Sequence, residues 1–309
     1  MNRTVAVTGA TGRIGAPLVD ALLRAGREVR ALSRRAQTPR AGVEWIVGDL
    51  LDAGAVATLI AGAETVFHAG GQLQGRPEAI EHSLVQGTEN VLRAARDARL
   101  VHVSSLVVVD TASAASPRVI DENSPLEPFP GRRGSYTRGK SAAEALVREG
   151  AAAGRDVVIV RPGLVISPAD AAVPLSIGVR MGRAIFFVGP RQGLLPVVHA
   201  EDVASGMLCA ATGLERGELL HLIDPLPVTR AALFRRIVAG TGHAYAVPTG
   251  AASLLLARSL AGRRGRSPMA DAAYRLLSAG NPHQWSTGRG AALGWRPGAL
   301  RRWFAAEPG

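Results

Sequence analysis

The stretch TVAVTGATGRIGAPLVDALL, residues 4–23, sets the architecture expected of this 309-residue chain. It begins with a β-rich apolar run, after which Ile14, Leu18 and Leu22 recur at a spacing near four, which indicates a helix. The glycines between them follow the pattern G-x-x-G-x-x-G and let the backbone turn sharply toward a pyrophosphate at the helix N-terminus. A strand, a glycine turn and a helix in this order predict a dinucleotide site.

Outward from this stretch, strands and helices alternate along the first half of the chain. Near-continuous Val and Ile runs are typical of a parallel sheet covered by helices on both faces. We therefore predict an α/β fold with a Rossmann-like doubly wound sheet. The predicted strands are Thr4–Thr8, Glu28–Ser33, Val43–Val47, Thr65–Ala69, Leu100–Val109 and Asp156–Val160, and the predicted helices are Asp52–Ala61, Pro77–Asp97 and Ser135–Gly154.

The pattern changes after Pro168. Residues 169–195 are irregular and rich in Gly and Pro, and a helix over Asp202–Thr212 and a strand over Glu218–Ile223 then follow. Residues 228–309 look mostly helical. We expect a dinucleotide-binding domain formed by residues 1–165 and 197–224. A smaller, mostly helical substrate-binding part is expected to comprise residues 166–196 and 225–309.

The charge of the chain raises the question of nucleic-acid binding. Lys plus Arg number 36 and Asp plus Glu number 25, a net charge of +11, and phosphate neutralisation drives non-specific binding to nucleic acids. After residue 250 the sequence has nine arginines and two acidic residues, Asp271 and Glu307, so +7 of the net charge lies in the C-terminal part. Because no basic stripe runs through the body of the chain, we predict no nucleic-acid partner.

Cysteine content and hydropathy limit the cellular setting. The single Cys209 excludes an intramolecular disulfide and a cysteine-based metal cluster, and we predict no metal site. No apolar run reaches the ~18 residues of a membrane span, and the N-terminus enters a strand with no signal peptide. We expect a cytoplasmic protein. Residues 251–266, apolar and then basic, leave weak association with an anionic membrane surface as an alternative to packing on the core.

Two arginines follow the second predicted strand. An NAD site usually places a carboxylate here for the ribose hydroxyls, whereas Ser33, Arg34 and Arg35 offer two guanidiniums. Arginine suits a phosphate bidentately, which favours NADP and leaves NAD as the alternative. The 35 arginines of this chain also allow these two to be ordinary surface residues. Asp49, after the third strand, is a candidate contact of the adenine amine.

Tyr136 and Lys140 are four residues apart on a predicted helix and therefore share one face. A cation beside a phenol lowers its pKa, which would make Tyr136 a usable general acid or base. Lys140 is the one lysine in the sequence. Ser104 and Ser105 interrupt an apolar run, where hydroxyls are costly to bury without partners. A hydroxyl at the carboxyl end of a strand can hydrogen-bond a substrate carbonyl.

Together these motifs resemble the extended branch of the short-chain dehydrogenase/reductase superfamily, the NAD-dependent epimerase/dehydratase family. Within it, the chain is most similar to dihydroflavonol-reductase and 3β-hydroxysteroid-dehydrogenase type members, whose substrates are apolar alcohols and ketones. The motifs that carry the resemblance are Thr8-Gly9-x-x-Gly12-x-x-Gly15, Gly48-Asp49-Leu50, His68-Ala69-Gly70-Gly71, Gly87-Thr88-Glu89-Asn90, Ser104-Ser105, Tyr136-x-x-x-Lys140-Ser141-x-x-Glu144, Arg161-Pro162-Gly163, Val198-His199-Ala200-Glu201-Asp202 and Leu293-Gly294-Trp295-Arg296-Pro297.

The resemblance implies a site. Ser105, Tyr136 and Lys140 match the catalytic triad of the family. His68 is interpreted as a structural residue or a cavity wall, and Asp202 as an N-terminal cap or a partner of the helix dipole. The implied cofactor contacts are Gly9, Thr11, Gly12, Arg13, Ile14, Ser33, Arg34, Arg35, Asp49, Leu50, His68, Ala69, Gly70, Ser104, Tyr136, Lys140, Arg161, Pro162 and Gly163.

These residues predict an NAD(P)-dependent oxidoreductase, with NADP preferred, that moves hydride between the nicotinamide and a carbonyl or alcohol of a small apolar substrate. A sugar-nucleotide epimerase or dehydratase is the first alternative, but residues 194–197 lack the charged run common in those enzymes. A non-catalytic NADP-binding regulator is the second, although such proteins usually lack the tyrosine–lysine pair. Leu84 stands where the family often has Asn. A homodimer is a family-level expectation.

Overall fold

The computed structural model describes residues 4–113, 118–167, 178–181, 184–187, 191–238, 244–246, 271, 274 and 283–306. Eight helices have defined bounds in these ranges: α1 Gly15–Arg24, α2 Ala53–Ile60, α3 Pro77–Ala94, α4 Ser135–Ala152, α5 Ala200–Gly213, α6 Arg230–Val238, α7 Gly288–Ala292 and α8 Ala299–Ala305. Short 3-10 helices occur at Leu106–Val108 and Pro130–Arg133. The strands are β1 Thr4–Thr8, β2 Glu28–Ser33, β3 Val43–Val47, β4 Thr65–His68, β5 Arg99–Val103, β6 Val119–Ile120, β7 Val157–Pro162, β8 Leu164–Ile166, β9 Gly178–Met181, β10 Ala184–Phe187, β11 Val197–His199, β12 Leu219–Leu222, β13 Ala244–Ala246 and β14 Gln284–Trp285.

Seven strands form a parallel sheet in the order β3-β2-β1-β4-β5-β7-β12. The order changes direction at β1, because β2 and β3 extend to one side of it and β4, β5 and β7 to the other. Open sheets of this kind bind ligands outside the carboxyl ends of the strands at such a switch point. The predicted α/β Rossmann-like fold is confirmed, and the switch point shows where to look for the site.

Both faces of the sheet are buried, as the continuous apolar runs predict. Successive side chains of a strand point to opposite faces, so Val5 and Val7 pack in a cluster with residues of α1 and α5. Ala6 and Leu100 pack on the other face with residues of α2, α3 and α4. Helices therefore cover the sheet on two sides and leave its edge at the strand ends to the loops.

Smaller sheets accompany the main one. β8 pairs with β11, β6 pairs with β14, and β10 lies between an antiparallel β9 and a parallel β13. The prediction that residues 169–195 are irregular is therefore wrong over β9 and β10. Strands of four residues are too short to leave a periodic signal in a Gly- and Pro-rich stretch.

The C-terminal third is described in part. The predicted mostly helical character holds at α6, α7 and α8, while β13 and β14 are strands. The basic run over residues 251–266 lies outside the described residues. Within the described part of the chain, none of the helices combines the length and the apolar character that crossing a bilayer requires.

Candidate active site

The glycine-rich turn between β1 and α1 packs against the loop that follows β4. Gly9 has a φ of +68°, and a Cβ there would lie 2.8 Å from the Ala69 carbonyl group. A Cβ on Gly15 would overlap the backbone of Gly9, whose carbonyl accepts from the Gly12 N–H at 2.9 Å. These contacts bring bare backbone and the start of α1 to the carboxyl edge of the sheet, an arrangement that suits a pyrophosphate.

A chain of buried hydrogen bonds holds the loop after β4. The Thr8 hydroxyl accepts from the Gly70 N–H at 3.1 Å and lies 2.7 Å from His68 Nδ1, while His68 Nε2 lies 3.1 Å from the Thr88 hydroxyl. Burial, with a smaller contribution from the charge of Lys140, lowers the pKa of His68 to about 3. The neutral ring has both nitrogens occupied, so the imidazole supports the loop and offers no nitrogen to a cofactor.

A cleft with about 480 Å³ of empty space opens between the glycine turn, the end of β5 and α4. Nine of the predicted residues line it: Ile14, Ala69, Gly70, Ser104, Ser105, Tyr136, Lys140, Pro162 and Gly163. Five residues that were not among the predicted site residues complete the lining: Gly71, Leu73, Leu84, Val103 and Val165. The structure thus brings the predicted catalytic residues together in a cleft whose remaining walls are mainly apolar.

The fifth strand ends earlier than predicted. The predicted strand Leu100–Val109 is wrong in its second half, since β5 ends at Val103 and Leu106–Val108 form a 3-10 turn. The Ser105 hydroxyl accepts from the Val107 N–H at 3.3 Å and caps this turn. The two serines therefore follow the strand instead of interrupting it, which places them at the edge where the cleft lies.

Tyr136 lies in the first turn of α4 and hydrogen-bonds the Ser105 hydroxyl. Part of its side chain is exposed, yet burial raises the pKa of Tyr136, and the hydrogen bond to Ser105 only opposes this rise. The sequence predicted that the cation of Lys140 would lower the phenol pKa, and the structure differs because desolvation outweighs the other effects. Tyr136 is accordingly a protonated phenol at neutral pH.

Lys140 reaches the same cleft from the next turn of α4. Its ammonium group donates to the Val103 carbonyl oxygen at 2.7 Å, at the end of β5, and its side chain is buried. Burial lowers the pKa of Lys140 to about 8, and the charge of Glu144 acts in the opposite direction. At neutral pH the lysine is therefore mainly an ammonium ion, held within reach of a ligand in the cleft.

Arg161 differs from its prediction as a cofactor contact. The residue is fully buried, and Nε and Nη2 donate to the carboxylate of Glu144 at 3.0 and 2.6 Å. Ser104 donates to the same carboxylate at 2.5 Å. The guanidinium is thus held away from the cleft, because its fork is occupied. Sequence reasoning missed the role of Glu144, although its spacing of four residues from Lys140 was a signal.

The opposite end of the site follows β2, the neighbour of β1. Ser33 donates to the Arg35 carbonyl at 2.8 Å and closes a turn. The side chains of Arg34 and Arg35 are exposed, and neither guanidinium has a charged or hydrogen-bonding partner among the described residues. Asp49 accepts from the Leu51 N–H at 3.0 Å. The structure therefore leaves two free cations beside the predicted dinucleotide site.

Three other predicted contacts surround the glycine turn. Thr11 is exposed at its tip, and the exposed Arg13 donates to the Val165 carbonyl at 3.3 Å. Leu50 is buried, and its side chain lies so close to Gly70 that a Cβ there would be 2.7 Å from Leu50 Cδ1. Leu50 therefore packs against the loop, while Arg13 links the glycine turn to β8.

Residues 5–222 match the NAD dependent epimerase/dehydratase family. The chain belongs to this family. The match covers the glycine turn, the serine pair, Tyr136 and Lys140, and it ends at the last strand of the main sheet. The predicted membership of the NAD-dependent epimerase/dehydratase family is thereby confirmed.

Relatives with assigned activities include reductases. The chain is 36% identical over 234 residues to a 4-hydroxy-2-methyl-3-oxo-4-farnesyl-3,4-dihydroquinoline-1-oxide ketoreductase of Stigmatella aurantiaca, covering 72% of this chain and 68% of that protein. It is 32% identical to sterol demethylase protein B of Methylococcus capsulatus, covering 78% and 75% of the two chains. It is 29% identical to cinnamoyl-CoA reductase 2 of Medicago truncatula, covering 72% and 76%.

Solved structures share the fold across nearly the whole chain. A short-chain dehydrogenase/reductase superfamily protein of Agrobacterium tumefaciens with bound NAD superimposes with a TM-score of 0.72 at 20% identity, covering 98% of this chain and 95% of that one. The dTDP-glucose 4,6-dehydratase DesIV of Streptomyces venezuelae, with NAD, gives 0.68 at 22% identity, covering 99% and 97%. At these identities the likeness concerns the fold alone.

Proposed function

We propose that this protein is an NADP-dependent oxidoreductase that interconverts a carbonyl and an alcohol on a small apolar substrate. The observation that carries the proposal is the meeting of Ser105, Tyr136 and Lys140 in one cleft beside the glycine turn. The two reductases among the relatives support a redox reaction at a carbonyl group.

The residues around the cleft fit a bound dinucleotide. The backbone contacts of Gly9 and Gly15 exclude side chains at the start of α1, which leaves room for a pyrophosphate beside a helix N-terminus. Lys140 at the inner end supplies a donor for ribose hydroxyls, and Pro162 with Gly163 forms the opposite wall. When bound, the nicotinamide would supply or accept the hydride.

The chain's own residues would handle the substrate oxygen. Ser105 and Tyr136 both point hydroxyls at one place, so the oxygen of a carbonyl can accept two hydrogen bonds there. Because its pKa is raised, Tyr136 carries the proton that reduction requires and transfers it from Oη to the substrate oxygen. The ammonium of Lys140 stabilises the phenolate that remains.

The preference for NADP rests on Arg34 and Arg35. Their exposed guanidiniums follow β2, where a 2′-phosphate would lie in this fold, and a charge-assisted hydrogen bond contributes about 1.5–3 kcal/mol. We expect Arg34→Ser and Arg35→Ser each to weaken NADPH binding about tenfold or more, with NADH binding unchanged. Fluorescence titration measures both, and the exposed Arg96→Ser, on the segment between α3 and β5, is the matched control. Equal weakening of NADPH and NADH would contradict the assignment.

An apolar substrate is supported by the walls of the cleft. Leu73, Leu84 and Val165 line the cleft, and among the described residues Lys140 is the one charged residue in its lining. The ketoreductase and the sterol demethylase protein B among the relatives carry names that refer to farnesylated or sterol compounds.

The division into two domains, a cytoplasmic location and a homodimer stay predictions from the sequence.

Turnover of a panel of apolar ketones with NADPH, followed by the absorbance of the reduced nicotinamide, tests the proposal. Tyr136→Phe should lower kcat by about 10²–10⁴-fold with NADPH binding retained, because only the proton donor is removed. Full activity of Tyr136→Phe would overturn the mechanism. A redox-neutral change of a sugar nucleotide with no net NADPH consumption would instead support the epimerase or dehydratase alternative.

A further inference from the structure

The carboxylate of Glu144 is a buried anion that the mechanism above does not use. It lies one helical turn beyond Lys140 on α4, and both residues face the sheet. Burying an isolated carboxylate is unfavourable unless its lone pairs are satisfied. Three donors satisfy this one: Ser104, Arg148 and Arg161. So complete a set of partners indicates that the charge itself is retained.

The anion is stable over the whole working range of pH. The hydrogen bond and charge of Arg161, with help from Ser104 and Arg148, outweigh burial and lower the pKa of Glu144 to about 2. Arg161 is fully buried and is fixed on β7, next to β5 and β12 in the sheet. The carboxylate therefore keeps its charge and its place while the cleft binds and releases ligands.

Lys140 has few other charged neighbours. The groups that face it are Tyr136 and Glu144 on α4, the imidazole of His68 on β4 and that of His102 on β5. Both imidazoles are buried with lowered pKa values and are neutral at pH 7. Among these groups Glu144 is the permanent negative charge, so it is the one that favours the ammonium form of the lysine.

We propose that Glu144, fixed by Arg161 and Ser104, is a positioning residue that keeps Lys140 protonated and so sets the upper pH limit of the reaction. The kinetic half of this proposal rests on the function proposed above, whereas the charge state of Lys140 does not. Ser104 connects the carboxylate of Glu144 to the cleft, because its hydroxyl donates to that carboxylate and its backbone leads directly into Ser105.

The lone lysine of this chain makes the proposal directly measurable. Protein labelled with ¹³Cε-lysine gives a single lysine Cε signal, that of Lys140, whose shift with pH reports its pKa without any assay of activity. We expect a midpoint near pH 8 in the wild type. Glu144→Gln should move it downward because the variant lacks the carboxylate charge, by at most about one to three pH units, the effect of an opposite charge within ~4–6 Å.

Two further variants separate charge from folding. Glu144→Gln leaves Arg161 buried without its partner, which can unfold a protein. The double variant Glu144→Gln with Arg161→Met removes both charges and should shift the midpoint downward by less than the single variant, because losing the Arg161 cation raises the lysine pKa. Glu81→Gln is the matched control: Glu81 is a carboxylate of α3 that pairs with Arg138 on the same helix as Lys140, at the surface. Its lysine signal should titrate as in the wild type.

The kinetic arm uses the ketone assay. The upper limit of the pH profile of kcat/KM should fall with Glu144→Gln by the same amount as the NMR midpoint, whereas a purely structural role would lower activity equally at all pH values. An unshifted lysine midpoint in folded Glu144→Gln or in the double variant would overturn the proposal. A shifted midpoint with an unmoved pH profile would overturn its kinetic half alone. If no ketone is reduced, the proposed function fails and the NMR result still decides the role of Glu144.

Discussion

At the scale of single residues, spacing predicted which side chains meet but not their chemistry. The four-residue interval of Tyr136 and Lys140 placed both in the cleft, because that interval is one turn of a helix. The direction in which the pKa of Tyr136 shifts depends on the burial of its side chain in the folded protein, and sequence spacing does not encode that burial. Arg161 shows the same limit, since its partner Glu144 comes from another element.

Glycine positions of the turn are the residues most sensitive to a single added carbon. A Cβ on Gly15 would overlap the backbone of Gly9, which cannot move without displacing the turn. We expect Gly15→Ala to weaken NADPH binding by at least about tenfold, which titration measures. Gly150→Ala in α4 meets ordinary contacts and should bind NADPH normally. Normal binding by Gly15→Ala would show that the turn does not hold the cofactor.

At the scale of elements, long strands and helices were predictable and their ends were less so. β1, β2 and β3 have the predicted bounds. The end of β5 depends on one hydrogen bond of the Ser105 hydroxyl, which competes with the strand. Asp202 was predicted to be a cap or a dipole partner at the start of its own helix. It lies in the first turn of α5, as a dipole partner would, but its carboxylate accepts from the N–H groups of Gly298, Ala299 and Leu300 and so caps α8.

The contact between Asp202 and the start of α8 attaches the C-terminal helix to α5. A cap of this kind contributes about 1–2 kcal/mol, and leaving the backbone donors unpaired adds to the loss. We expect Asp202→Ala to lower the free energy of unfolding by about 2–3 kcal/mol in urea, and Asp202→Asn by less, because an amide oxygen still accepts. An unfolding midpoint unchanged in Asp202→Ala would show that the cap is not a stabilising contact.

At the scale of the whole molecule, the sheet carries a polar layer above its apolar core. Thr8, His68 and His102 stand in register on three neighbouring strands. Arg161 pairs in register with His221 on the next two strands, two residues beyond Ile159, which is the partner of His102. The sequence predicted a parallel sheet from its apolar runs, and it gave no sign that these isolated polar residues align. Their alignment depends on strand order, which sequence periodicity does not contain.

The buried histidines of this layer predict acid sensitivity. Burial lowers the pKa of His68 and of His221 to about 3, and that of His102 well below its usual value. Unfolded chains bind these protons near pH 6.5 while the folded chain does not, so stability is present above that pH and is lost as the pH falls below it. At pH 5, His68 and His221 each lower the stability by about 2 kcal/mol.

Urea unfolding between about pH 7 and pH 5 measures this loss. His102→Leu removes one buried titrating group, so its stability should fall less steeply with pH than that of the wild type. The exposed His82→Gln on α3 is the control and should keep the wild-type slope. Identical slopes for His102→Leu and the wild type would show that His102 is not held neutral by folding.

Hydride transfer to a carbonyl carbon in the cleft of Tyr136 is the central step of the proposed reaction. NADPH that carries deuterium at both C4 positions of the nicotinamide, reacted with a ketone that the panel identifies, tests this directly by mass spectrometry of the product. We predict an alcohol that carries one deuterium on its carbinol carbon with the wild type, and a strongly reduced yield with Tyr136→Phe. An alcohol without deuterium, or a product at the oxidation level of the substrate, would contradict the account.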